Sequence, residues 1–206
     1  MIFKFFTDIA VMGIIFGLTT TFTTCSFMIP YMIAQTNNAK QALHSILFLF
    51  LGRLLAIMIL AGLSVNLTRA SFIIYFYETK IFDYLAAFFA MLIIISAFLR
   101  LKSKLQYYWL FFIGFFLGLQ PNTTFKIFLT NLNLTVINKF LALTSGFVFG
   151  LMSFINLLLI LAIFIGNITR FTKTTFPSLH VSIVRIATLV IIYLGLERLF
   201  KVWISI

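Results

Sequence analysis

Six apolar stretches alternate with short polar linkers along the chain. They cover residues 9–33, 43–65, 82–101, 107–130, 138–165 and 180–203. A helix needs about 20 apolar residues to cross a bilayer, so the pattern predicts six transmembrane helices. No linker is long enough for a soluble domain; they cover residues 35–42, 66–81, 102–106, 131–137 and 166–179. We therefore predict a single all-α integral membrane domain over residues 1–206.

A glycine pattern shared by the first and fourth stretches divides the chain into two similar halves. Residues 13–18 read G-I-I-F-G-L, and residues 114–119 read G-F-F-L-G-L. Three spans per half is an odd number, so the halves, about 1–104 and 105–206, insert in opposite orientations. Such a 3+3 inverted-topology repeat places substrate sites near the midplane, between discontinuous helices. The alternative is that G-x-x-x-G only lets helices pack closely.

A polar segment follows these glycines in both halves. Residues 17–26 read G-L-T-T-T-F-T-T-C-S, and residues 118–124 read G-L-Q-P-N-T-T. Broken, hydroxyl-rich helix is tolerated at membrane depth only where protein or a lined cavity satisfies the backbone. We therefore predict that the first and fourth helices are discontinuous, and that hinges or breaks lie at Gly17, Pro30, Gly118 and Pro121.

The two polar segments supply candidate residues for binding a small solute. Broken helix ends and free carbonyls can hold an ion or a polar molecule. The alternative is a structural kink in which the hydroxyls only bond carbonyls one turn back. Arg53 is a further candidate, either as an anion anchor or gate or as a side chain that snorkels to the basic face. The candidate substrate-binding residues are Thr20, Thr21, Thr24, Arg53, Gln120, Asn122 and Thr123.

Composition and charge narrow the class further. The chain is 63% hydrophobic and 9% charged, which no soluble domain matches. Its net charge of +11 is scattered over short loops, which argues against nucleic-acid binding. The positive-inside rule counts only Lys and Arg, and the basic cluster at residues 100–104 lies in the shortest loop. We therefore predict that both termini lie outside the cytoplasm.

Few residues are available for covalent or metal chemistry. Cys25 is the single cysteine, and the two histidines are far apart, so we predict no metal site and no cofactor. No nucleophile–base pair is visible, which argues against an enzyme with its own active site. Buried in a membrane, Cys25 is most often an inert hydrophobe; a catalytic redox thiol would need access to a partner thiol.

Three segments resemble a known group of membrane proteins. Residues 51–62, L-G-R-L-L-A-I-M-I-L-A-G, resemble the "GRLL…LLG" second span of the SafE-type sulfite exporter proteins, also called urease-accessory-like transmembrane domains. These are relatives of the cytochrome c biogenesis protein CcdA and the transmembrane domain of DsbD. Residues 114–122 resemble that group's "GLLWGLLPCG", and residues 17–30 resemble its "GLxxSxxHCxGMCG". Cys25 aligns with the first cysteine of the latter motif, whereas Asn122 replaces the fourth-span cysteine.

The resemblance implies a bacterial or archaeal cytoplasmic-membrane protein that supports maturation of extracytoplasmic redox or metal proteins. With the usual cysteine pair reduced to one, a thiol relay would need a cysteine from a partner protein or from a second copy of the chain. Two alternatives stay open. One is a small carrier for an anion, a metal or a sulfur compound, working by rocking of the two halves about a midplane site. The other is a structural subunit of a membrane complex.

Overall fold

Long apolar runs become helices here because a helix satisfies its own backbone donors and acceptors without water. The computed structural model describes residues 2–68, 71–72, 81–98, 103–119, 123–136, 138–154 and 158–205. These residues form eight helices: α1 Ile2–Gln35, α2 Ala39–Asn66, α3 Ile81–Phe98, α4 Ser103–Gly118, α5 Thr123–Thr135, α6 Lys139–Met152, α7 Leu158–Thr175 and α8 Pro177–Ser205. The predicted all-α class is confirmed.

Several of these helices suit a membrane. In the described part of the chain, three segments are long and apolar enough to cross one: Phe3–Thr20, Ala39–Asn66 and Pro177–Glu197. A stripe of large apolar side chains also faces outward along α2, namely Leu47, Leu51, Leu55, Ile59 and Leu63. Their four-residue spacing places them on one helix face, which suits contact with lipid. The chain is an integral membrane protein of helical class.

The predicted break in the first helix is wrong. α1 runs without interruption from Ile2 to Gln35, through both Gly17 and Pro30. Threonine hydroxyls bond back to the helix instead of opening it: Thr20 donates to the carbonyl of Phe16 at 2.6 Å, and Thr19 donates to the same carbonyl at 3.1 Å. Pro30 removes one backbone donor and crowds the carbonyl one turn back, but membrane helices tolerate proline where neighbouring helices and local adjustments satisfy the freed carbonyl.

The predicted end of the helix at Gly118 is confirmed. α4 ends at Gly118, and α5 begins at Thr123. The residues between them that we singled out, Gln120, Pro121 and Asn122, lie outside the described part of the chain. Two other boundaries correct our prediction. The fifth stretch is not one helix, because α6 ends at Met152, and the predicted linker 166–179 is largely helical, because α7 continues to Thr175 and α8 begins at Pro177.

Local hydrogen bonds explain these two corrections. Directly after α6 the backbone tightens into a turn, in which the N–H of Phe154 donates to the carbonyl of Leu151 at 3.0 Å, three residues back, so the helix ends without a proline or glycine at that point. In α7 the hydroxyl of Thr169 donates to the carbonyl of Ile165 at 2.8 Å, so threonines that suggested a loop are accommodated inside a helix. Proline suits the first position of a helix, where Pro177 stands.

Close helix contacts link the two halves crosswise. Gly13 of α1 lies against α6, where an added methyl group would stand 2.6 Å from the carbonyl oxygen of Phe149. Gly114 of α4 lies in the same way against the carbonyl of Leu49 in α2. The two glycines hold the same place in the repeated G-x-x-x-G-L pattern. The first helix of each half therefore packs against a helix of the other half: α1 packs against α6, and α4 packs against α2.

Asn133 ties α5 to the end of α2. Its side-chain amide donates to the carbonyl of Ser64 at 2.6 Å and to that of Leu67 at 3.1 Å, both near the C-terminus of α2. We expect Asn133→Asp to lower the free energy of unfolding by about 1–3 kcal/mol, because a carboxylate cannot donate and would face two carbonyls. Thermal unfolding in detergent measures this. Asn131→Asp, at an exposed position of the same helix, is the matched control and should change little.

Candidate functional site

Arg53 lies near the middle of the longest apolar helix segment. α2 has 28 residues, and at 1.5 Å per residue Arg53 is about 20 Å from either end. Only 2% of its surface is exposed. A snorkelling arginine would expose its charged end at a membrane face, so that alternative is wrong. Arg53 is instead a charge held inside the protein, near the middle of a helix that is long enough to cross a membrane.

Two groups of α1 contact the Arg53 guanidinium. Nη2 donates a hydrogen bond to the hydroxyl oxygen of Thr20 at 2.8 Å. The guanidinium carbon also stands 4.2 Å from the centroid of the Phe16 ring, a cation–π contact. Since the Thr20 hydroxyl donates to the Phe16 carbonyl, its lone pairs are available to accept from Arg53. The structure thus brings together two residues predicted for the site, Thr20 and Arg53.

The end of α4 lies at the same level. Gly118, its last residue, packs on the backbone of Arg53, and a methyl group there would stand 2.8 Å from the Arg53 carbonyl oxygen. The helix break in the second half therefore begins beside Arg53. Thr20, in the threonine run of α1, contacts Arg53 from another helix. Gly17, two residues before the run, is also buried. Thr20 of the first polar segment and Gly118 at the start of the second thus both lie against Arg53, while the convergence of the remaining polar residues stays a prediction.

Among the other predicted binding residues, only Thr123 has a described side chain, and it lies outside this cluster. Thr123 is exposed at the start of α5 and is not among the described contacts of Arg53. The side chains of Thr21, Thr24 and Cys25 lie outside the described part of the structure, as do Gln120 and Asn122. The described residues therefore neither support nor oppose a redox role for Cys25. Among them, no group of three or more His, Cys, Asp or Glu side chains could hold a metal ion.

The charge of Arg53 is left without a counter-charge among the described residues. Its Nη1 is buried and has no hydrogen-bond partner there, and its side chain makes no ion pair with a described carboxylate. An unpaired buried charge costs several kcal/mol, and such positions at membrane depth mark substrate or ion pathways. An anion with two or more oxygens would accept from Nη1 and neutralise the guanidinium.

Apolar packing encloses the polar cluster on both sides along the helix axes. On one side, the rings of Phe16, Phe125, Phe128 and Phe149 form a continuous group, with centroids 4.1 Å apart for Phe128 and Phe149. On the other side, Phe50 and Phe154 stack with centroids 4.9 Å apart. Such dry surroundings strengthen electrostatic binding, because the effective dielectric is low. Sequence reasoning missed Phe16, which no pattern separates from the chain's 27 other phenylalanines.

Comparison with known proteins adds no relative. No known family, no curated protein and no solved structure matches the chain. The resemblance to the sulfite exporter and cytochrome c biogenesis proteins therefore stays a prediction based on the three quoted motifs.

Proposed function

We propose that the protein is a membrane carrier for a small anion, and that the Arg53 guanidinium is its binding group. One observation carries this proposal: a buried arginine at mid-membrane depth has an unpartnered Nη1 in the described structure. A fixed positive charge attracts an anion and repels a metal cation, so it favours the anion among the solutes considered from the sequence. Arg53 and Thr20 hold the binding position, and the aromatic rings exclude water.

The chemical class of the anion follows from the donor. A guanidinium presents parallel N–H groups that match the paired oxygens of an oxyanion, whereas a spherical halide meets only one or two of them. The resemblance to sulfite exporters would make the solute a sulfur oxyanion. We propose sulfite or a similar oxyanion as the first solute to test. The role in maturation of extracytoplasmic redox or metal proteins, through Cys25 and a partner thiol, stays a prediction beside it.

The proposal includes a membrane arrangement. Six spans in two inverted halves result if α4 with α5 and α6 with α7 each form one interrupted span. The crosswise contacts of Gly13 and Gly114 support this, because equivalent glycines of the two halves meet equivalent helices of the opposite half. Both termini would lie outside the cytoplasm, in a bacterial or archaeal cytoplasmic membrane. A carrier of this design places its solute between the halves, at the depth of Arg53.

Anion-dependent thermal stability tests the binding step. We expect sulfite at about one hundred times its Kd to stabilise the purified protein by about 2.7 kcal/mol, which raises Tm by roughly 5–10 °C. Arg53→Gln should lose this rise, because an amide carries no charge. Lys139→Gln, which removes an exposed charge, should keep it. An equal rise in wild type and Arg53→Gln would contradict the assignment of Arg53, and chloride at the same ionic strength corrects for general salt effects.

A further inference from the structure

A second basic region lies at one end of the helix bundle, where α1 ends and α2 begins. Two grooves meet there and share Asn37. The groove between α1 and α8 has a volume of about 430 Å³, and the groove between the N-terminus of α2 and α7 has a volume of about 470 Å³. We call them the α1–α8 groove and the α2–α7 groove. They lie about 20 Å along α2 from Arg53, so they are separate from the carrier site.

Basic side chains line both grooves. Arg185 and His180 line the α1–α8 groove, and Lys40 and Arg170 line the α2–α7 groove. Between them, the Lys173 ammonium donates to the side-chain oxygen of Asn37 at 2.7 Å, which ties the end of α7 to the α1–α2 connection. None of Lys40, Arg170 and Arg185 has a described carboxylate partner. The grooves therefore concentrate positive charge that no described acidic group offsets.

The backbone framework around the grooves is held firmly. Gly166 of α7 packs on the start of α2, where an added methyl group would stand 2.5 Å from the Cα of Ala39. The side chain of Asn38 caps α2 by accepting from the backbone N–H of Gln41 at 2.8 Å. The positive end of the α2 dipole thus opens into the α2–α7 groove and adds to the charge of Lys40 and Arg170.

The composition of the α1–α8 groove indicates what fills it. Its polar lining comprises Gln35, Thr36, Asn37, His180 and Arg185, whereas its apolar lining comprises Ile33, Ala34, Val181 and Val184. The region lies at the end of α1 and α2, at the boundary of the membrane. A free anion would use only the polar lining. A lipid would use both, with its phosphate at the cations and an acyl chain along the valines and Ile33.

We infer that the two grooves bind the phosphate groups of anionic phospholipids at this membrane face. Exposed Arg185, about 12 Å along α8 from Pro177, has a long side chain that can reach a phosphate at the interface while its stem stays among acyl chains. Arg170 and Lys40 hold a second phosphate beside the end of α2. Clusters of this kind attract anionic headgroups, each cation contributing about fivefold in affinity.

Native mass spectrometry of the purified full chain tests the inference. Detergent-solubilised protein is mixed with equal amounts of phosphatidylglycerol and phosphatidylcholine, and the retained lipids are counted. We expect a preference for phosphatidylglycerol that falls about thirtyfold in the double variant Arg170→Gln with Arg185→Gln, and about fivefold in each single variant. The matched control, Lys4→Gln with Lys139→Gln, removes the same charge at other exposed positions and should keep the preference.

Three results would overturn the inference. One is an equal loss of the phosphatidylglycerol preference in the control variant, which would show that the preference depends on net charge and not on the two grooves. Another is an unchanged preference in the double variant. The third is release of phosphatidylglycerol by millimolar inorganic phosphate, which would assign the grooves to a free anion. Arg53→Gln should retain the lipid preference while losing sulfite-dependent stabilisation, so failure of the lipid site and failure of the carrier site are distinguishable.

Discussion

Replacing Arg53 by glutamine is expected to reduce sulfite uptake by proteoliposomes about a hundredfold. The guanidinium is the only charge that the described residues place beside Thr20 and Gly118. Losing one partner of a buried charged contact costs about 2–5 kcal/mol of binding free energy, and a loss of about 2.7 kcal/mol corresponds to a hundredfold change. Glutamine preserves much of the volume but carries no charge. Uptake of radiolabelled sulfite into vesicles, driven by an outward concentration gradient of unlabelled sulfite, measures the effect.

The fold should survive this substitution. Removing a buried charge that lacks a counter-charge relieves a desolvation cost, so we expect Tm of Arg53→Gln without anion to equal or exceed that of wild type. Arg53→Lys is a useful second variant, because it keeps the charge but loses the planar pair of donors. Its sulfite uptake should lie between that of wild type and that of Arg53→Gln. Full uptake in a well-folded Arg53→Gln variant would remove Arg53 from any transport role. A large fall in Tm would make the residue structural.

Gly52→Ala is expected to cause the largest loss of stability. A methyl group at Gly52 would run into the carbonyl of Phe111 and stand 2.8 Å from the backbone nitrogen of Phe115. Both obstacles are backbone atoms of α4, so α2 and α4 would have to separate along their extensive contact. We expect a cost of about 3 kcal/mol, or roughly 10 °C in Tm, which differential scanning fluorimetry in detergent measures.

Gly62→Ala provides the matched control for that prediction. It places the same methyl group in the interior of the same helix, but the nearest atom is the flexible end of the Leu143 side chain at 3.1 Å. Both substitutions gain the same helix propensity, so this contribution cancels in the comparison. We expect Gly62→Ala to stay within about 0.5 kcal/mol of wild type. Similar values for the two variants would mean that the approach of α2 and α4 is looser than described.

The sequence predicted the all-α class and pointed to Arg53 as a candidate for clear physical reasons. Apolar runs in a membrane protein form helices because a helix satisfies its own backbone hydrogen bonds without water. An arginine in such a run must find a partner or a function, and Arg53 was selected on that ground alone. The end of α4 at Gly118 was also predictable, because a proline three residues later removes a backbone donor and disfavours helix before it.

Other features could not be predicted because the local sequence pattern is compatible with more than one structure. The threonines of α1 looked like a break, but Thr19 and Thr20 return their hydrogen bonds to the Phe16 carbonyl and keep the helix intact. α6 ends at Met152 although no glycine or proline follows directly. Thr169 and its neighbours extend α7 beyond the apolar run. The contact of Phe16 with Arg53 required the packing of α1 against α2, which composition cannot supply.

The crosswise glycine contacts restrict how the molecule can move. If residues 1–104 swung as a rigid body against residues 105–206, the contact of Gly13 with Phe149 and that of Gly114 with Leu49 would both have to open. Each is a backbone-to-backbone contact without side chains that could stretch across a gap. Helices that stay together are therefore drawn from both halves, α1 with α6 and α2 with α4. Spin labels placed on α1 and α6, or on α2 and α4, should keep a fixed separation throughout a transport cycle.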